Sequence, residues 1–151
     1  MTAFPTTSGV QTIIDRLIEL LTPKLPGVQV EPAPPMDMPR QCVFIGNVRE
    51  IKHTYPVIRP GRKPRDETFI VYVHFRAGID QSQGANEARS LALEWQAALE
   101  NVIADDPNLG MVATDPTLST RFAEGIVGLT APPDNYRAEA IGQVHVRHRL
   151  K

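Results

Sequence analysis

The residues with chemistry to offer are four histidines, a scatter of carboxylates and two basic clusters. The histidines are His53, His74, His145 and His148. Only His145 and His148 are close. At three apart on a strand they point to opposite faces of a sheet, which is poor geometry for a shared metal. A zinc site would be marked by a helical H-E-x-x-H or a cysteine pair, and the sequence has neither. Cys42, the single cysteine, precedes Val43-Phe44-Ile45 and reads as a buried small hydrophobe. Asp105-Asp106 falls in a helix-stop loop and Asp66-Glu67 at the start of a strand, so both pairs read as solvated rather than as acid–base machinery. Ser8, Ser82, Ser90 and Ser119 lack a nucleophile elbow. The glycines form no phosphate loop. No catalytic, cofactor-binding or metal residue is assigned, and no cofactor is expected.

The basic clusters are Arg59, Arg62, Lys63 and Arg65, in a loop, and Arg147, His148, Arg149 and Lys151, at the end of the chain. The loop carries no interleaved aromatics, so stacking on single-stranded nucleic acid is not expected. Its prolines, Pro60 and Pro64, reduce the entropy lost when it orders. The sharper reading of such a loop is contact with an acidic neighbour, either another copy of the chain or a phosphate. The plainer reading is solvent exposure.

The elements that position these residues follow from periodicity. Phe69, Val71, Val73 and Phe75 alternate with Thr68, Ile70, Tyr72, His74 and Arg76, giving a strand with one apolar and one mixed face. After a turn at Ala77-Gly78-Ile79-Asp80, Ala88, Leu91, Ala92, Trp95, Ala98, Leu99, Val102 and Ile103 recur at helical spacing, and the helix stops at Asp105–Gly110. A first helix spans Ser8 to Thr22, with Ser8 and Gln11 as a capping box. Short strands are expected at Val28–Val30, at Gln41–Gly46, at Val48–Val57 and at Met111–Thr114. Longer ones are expected at Leu118–Thr130 and Tyr136–Leu150. In the last strand Tyr136, Ala138, Ala140, Val144, Val146 and Leu150 share one face. Arg137, Glu139, Gln143, His145, Arg147 and Arg149 share the other, a charged strand face that is either wet or meets a partner. The expected fold is α+β: one domain over residues 1–151, with a mainly antiparallel or mixed sheet, two amphipathic helices on one face and a long hairpin loop.

Size and composition bound the rest. A chain of 151 residues fits a single domain. A formal net charge of −1 argues against a general nucleic-acid binder or a polybasic membrane anchor. No apolar stretch approaches a membrane span, and no signal peptide is evident at Met1-Thr-Ala-Phe-Pro. Synthesis in a cytoplasm is expected. Nine of the 14 prolines cluster between Pro23 and Pro39 and between Pro56 and Pro64, marking ordered connectors.

The order of elements resembles the tail terminator proteins of long-tailed bacteriophages. The resemblance rests on the N-terminal helix ending Leu-Thr-Pro-Lys-Leu, the strands around Val43-Phe-Ile-Gly-Asn-Val-Arg-Glu50 and Glu67-Thr-Phe-Ile-Val-Tyr-Val-His74, and the helix from Asn86 to Ile103 with Asp106-Pro-Asn-Leu-Gly110 after it. The closing strand Tyr136-Arg-Ala-Glu-Ala140…Val144-His-Val-Arg-His148 completes it. It covers nearly the whole chain, as a pattern rather than a unique motif. It implies a non-enzymatic virion protein, assembled in the host cytoplasm. Such a protein forms a hexameric ring at the head-proximal end of the tail tube, where it stops polymerisation and docks the neck. The implied partners are copies of itself, the tail-tube protein and a head–tail neck or stopper protein, with phage DNA sliding through the lumen unbound. Arg59, Arg62, Lys63 and Arg65 are the expected contacts to a neighbouring subunit or ring. The rival readings are another ring-forming neck or tube component, a small enzyme built around residues such as His74 and Asp66, and a DNA-binding module.

Overall fold

The structure, a computed structural model, describes residues 8–37, 39–55, 64–80, 84–130 and 135–150. Its centre is the strand β3 (Arg65–Asp80), where Glu67, Phe69, Val71, Val73, Phe75 and Ala77 all point to one side and are buried. β3 lies between β2 (Cys42–Thr54) and β5 (Asn135–Leu150) and is antiparallel to both. β4 (Ser119–Thr130) pairs antiparallel with the far side of β5. The short β1 (Gln29–Glu31) runs parallel to β2 against Cys42–Phe44. The sheet order is β1-β2-β3-β5-β4. Phe69 sits opposite Val146 and Val71 opposite Val144, so the apolar faces of the two longest strands coincide.

Two helices cover that apolar face. α1 (Val10–Leu21) buries Ile13, Ile14, Leu17 and Leu21. A helix of 12 residues is marginal in water. Its stripe therefore holds it, each buried aliphatic side chain contributing about 1.5–3 kcal/mol. α2 (Gly84–Asp105) buries Ala88, Ala92, Trp95, Leu99, Val102 and Ile103 against the same core. It stops where Pro107 and the left-handed residues Leu109 (φ 54°) and Gly110 (φ 69°) turn the chain. Arg16 of α1 donates to the Leu109 carbonyl at 2.7 Å and ties the two helices together at that turn. No helix among the described residues is long and apolar enough to cross a membrane.

The α+β architecture with both helices on one face is as the periodicity requires, and several local expectations are corrected. The two short strands expected on either side of Gly46-Asn47 are one strand, β2. The pairing slips between Ile45 and Val48 and again between Arg49 and Lys52, where Glu50 takes a left-handed φ of 55°. Both are bulges, which keep a strand continuous while bending it. Val57, at the end of the expected second strand, lies outside the described residues. Ala77–Asp80 is not a turn but the continuing end of β3. Met111–Thr114 is not a strand: Thr114 and Asp115 both donate their N–H groups to the Met111 carbonyl, which winds the segment into turns. Ser8 makes no capping box with Gln11. Its hydroxyl accepts from Val10 N–H at 3.4 Å, and Gly9 stands at the helix start.

Candidate functional site

The face of the sheet away from the helices is polar. On β5 the odd-numbered positions, Arg137, Glu139, Ile141, Gln143, His145, Arg147 and Arg149, stand on it, as alternation demands. Arg137 is exposed. Glu139 accepts from His74 Nδ1 at 2.6 Å, a bond that holds its carboxyl below the usual range against the opposing effect of burial. The His74 ring stacks on Phe44, with centroids 4.7 Å apart. Arg121 lies 3.3 Å from His145, and burial, then the Arg121 charge, pushes the His145 imidazole down. Arg147 and Arg149 converge on Asp66, at 3.1 and 2.9 Å. The Arg149 hydrogen bond is the main reason the Asp66 carboxyl is lowered. Asp66 is thus buried and paired, not solvated as its position at a strand start implies.

Between β2 and β4 this face forms a shallow polar trough. One part, of about 370 Å³, is bounded by Glu50 and Lys52 on one side and Arg121 on the other. The next, of about 270 Å³, has Tyr72, His74 and Gln143 among its lining residues. Arg49 lies over the Tyr72 ring at 5.4 Å. The charges along the trough have both signs: Glu50 lies 3.9 Å from Lys52 and Arg147 pairs with Asp66, while Arg121 turns to His145 and Glu124 accepts from Gln143.

Of the basic loop, Arg59, Arg62 and Lys63 lie outside the described residues. Arg65 begins β3 and donates to His53 Nδ1 at 3.3 Å. The second basic cluster does not hold together as a surface patch. Arg147 and Arg149 share the outer face, whereas His148 turns inward and is buried, and Lys151 lies outside the described residues.

His148 belongs to a network that residue type alone conceals. Its Nε2 lies 2.7 Å from Glu67 Oε1 and its Nδ1 lies 2.8 Å from Asp115 Oδ2. Only the doubly protonated imidazolium donates to both carboxylates at once. Phe69 meets the ring edge-on. Glu67 also accepts from Gly9 N–H at 2.9 Å and faces His53 Nε2 at 3.0 Å. Burial pushes the Glu67 carboxyl up. The bonds from Gly9, His53, His148 and Ser8 outweigh that and hold it at about 2. Asp115 is further fixed by the Thr117 hydroxyl, which itself accepts from Arg149 N–H. The network pins the start of α1, the segment before β4 and the strands β2, β3 and β5 to one another.

Both nitrogens of His148 are committed and its ring is 1 % exposed, so its chemistry here is that of a clamp. A cavity of about 370 Å³ opens beside it, walled by Ser8, Thr12, Ile13 and Met111. Among the described residues no group of three or more His, Cys, Asp or Glu is placed to hold a metal ion. Cys42 is buried, and burial pushes its thiol up. His74 and Asp66, the pair around which an enzyme site was conceivable, are each bonded to separate partners on the outer face. No protein-family model matches the chain, and no curated protein matches it.

Proposed function

We propose that this chain is a structural virion protein of the tail terminator type. Six copies form a ring at the head-proximal end of a long phage tail, stop growth of the tube and join the tail to the neck. The ring assembles in the host cytoplasm and resides in the virion. The reading is supported by the resemblance in element order over nearly the whole chain. One structural observation carries it from fold to assembly: the sheet ends in two different open edges. No described strand pairs with the outer side of β4, and on the side of β2 away from β3 no described strand pairs beyond Phe44. Open edges are templates for contact with another chain. Two unlike edges on opposite flanks favour a heterologous, head-to-tail contact, which yields a ring when the rotation closes.

The mixed charge signs along the trough suit a surface past which DNA slides without being held. The role needs no cofactor and no catalysis. Arg59, Arg62, Lys63 and Arg65 contact the neighbouring subunit or ring. Electron microscopy of tail-tube subunits assembled with and without the purified protein tests this reading. A single closed ring on one end of each tube, with growth arrested there, supports it. Tubes made of the chain itself point instead to a tube subunit, and a ring that binds only the neck points to a stopper. Replacing all four basic residues with Ala weakens capping, and unaltered capping by that variant removes them from the interface.

A further inference from the structure

Among the described residues one buried side-chain polar atom has no hydrogen-bond partner, Gln96 Oε1. Gln96 is 8 % exposed, and its amide lies directly against Gly125 at the seam between α2 and β4. A Cβ at Gly125 would lie 2.6 Å from Gln96 Nε2, so that position stays bare and no side chain of its own covers the amide. A buried carbonyl oxygen without a donor costs free energy, and a ligand that brings a donor recovers it.

The seam has a direction. Thr120 N–H donates to the Pro107 carbonyl just past the end of α2, while Gln96 meets Gly125, so α2 and β4 run in opposite senses. Leu93, Gln96 and Glu100 are spaced to share one stripe of the helix. Leu93, one turn back along α2, therefore stands on the same side of Gln96 as Val127, two residues on along β4. Gly125 and Val127 pair with the buried positions Gly142 and Ala140, which puts them on the helix-covered face. Leu93 and Val127 are nevertheless 40 % and 37 % exposed. On the other side of Gln96 stands Glu100, exposed and without an ion pair among the described residues. No described strand covers the outer side of β4, so alternate residues there turn unpaired N–H and C=O groups outward.

We propose that this seam takes an extended segment of a partner protein as a further strand on the β4 edge. Side chains of an added strand alternate at the pitch of β4, so every second one faces α2. Three such positions define the segment. Opposite Val127 it carries an apolar side chain, which covers Leu93. Opposite Gly125 it carries a hydrogen-bond donor, which reaches Gln96 Oε1. Two residues further on it carries a basic side chain beside Glu100. The site belongs to a single copy and goes beyond the ring-forming reading.

Two synthetic peptides test it, Thr-Lys-Thr-Asn-Thr-Val-Thr for a parallel strand and its reverse for an antiparallel one, titrated to millimolar concentration into the full chain and followed by NMR. One of them is expected to give saturable shifts of the β4 amides and of the Gln96 side-chain amide, with slowed hydrogen exchange along β4. Glu in place of the peptide Lys weakens binding several-fold, and Glu100→Lys, an exposed change that spares the core, reverses that order. Leu in place of the peptide Asn also weakens binding, but not to Gln96→Leu, where the acceptor is gone. No shift with either peptide, shifts centred away from β4, or an order that Glu100→Lys leaves unchanged would overturn the proposal and leave a wild-type ring standing. If β4 is protected in the chain alone and loses that protection on dilution, a second copy fills the seam: the proposal is then wrong and the ring-forming reading gains a contact.

Discussion

His148 Nε2 stands 2.7 Å from Glu67 Oε1, with both side chains fully buried. The pair joins the last strand to the central one inside the core, and Asp115 grips the other ring nitrogen. A buried charged group of this kind is weak evidence for stability as such, but removing one partner strands the other without water. Glu67→Gln is therefore expected to cost about 3–5 kcal/mol, because the amide keeps the shape and loses the charge. Urea unfolding monitored by circular dichroism reads this directly. A change below about 1 kcal/mol would show that the carboxylate matters little.

Acid should weaken the fold through the same group. Glu67 has a folded value of about 2 against an ordinary 4.5. Its contribution is fully present above the ordinary value and is lost as pH falls through the folded one. A difference of this size corresponds to about 3 kcal/mol. Stability measured from pH 6 downward should fall mainly between about pH 5 and pH 2, and the fall should be shallower in Glu67→Gln. Asp66 and Glu139, also lowered, add to the slope in the wild type and remain in the variant. Identical slopes in the two proteins would remove Glu67 as the source.

Gly9 is required by the ring of His148, not by its own backbone angles. A Cβ placed there would lie 2.3 Å from His148 Cε1. The ring has no room to yield, since two carboxylates hold it. Gly9→Val should cost about 1–3 kcal/mol and shift the His148 resonances in an NMR spectrum. A stable variant with an unshifted histidine would show that α1 starts elsewhere.

Leu99 reports on the helix–sheet core. It is fully buried on α2, and its Cδ2 lies over Gly142 of β5. Leu99→Ala should lower stability by about 2–5 kcal/mol, as read from the urea midpoint. Arg147→Ala, which removes an exposed partner of Asp66, should stay within about 1 kcal/mol because Arg149 remains.

The contrast between these positions explains what was legible in the sequence. β3, β5 and α2 were, because Phe69–Phe75, Val144–Leu150 and Ala88–Ile103 keep one period over their whole length. Parity also pointed to the buried network. His148 falls in step with Val144, Val146 and Leu150, and Glu67 falls two residues before Phe69. Residue type argued for solvent, and the network answers that argument with partners from four other segments. Asp115 belongs to a turn far away in sequence, so no local pattern could announce it. β2 looked broken because Gly46-Asn47 resembles a turn, whereas bulges let the strand run on. The outer-face pairs Asp66–Arg149 and His74–Glu139 depend on the register of β3 against β5, which periodicity alone does not specify. The open edges of β2 and β4 likewise follow from strand order, which no single strand encodes.

The central claim is that the molecule works by closing on copies of itself at the end of a tail tube. Imaging tails assembled with this protein tests that most directly. The account predicts one closed ring of identical subunits at the head-proximal end and none elsewhere. Tails that lack the protein at both ends, or carry it stacked along the tube, would contradict it.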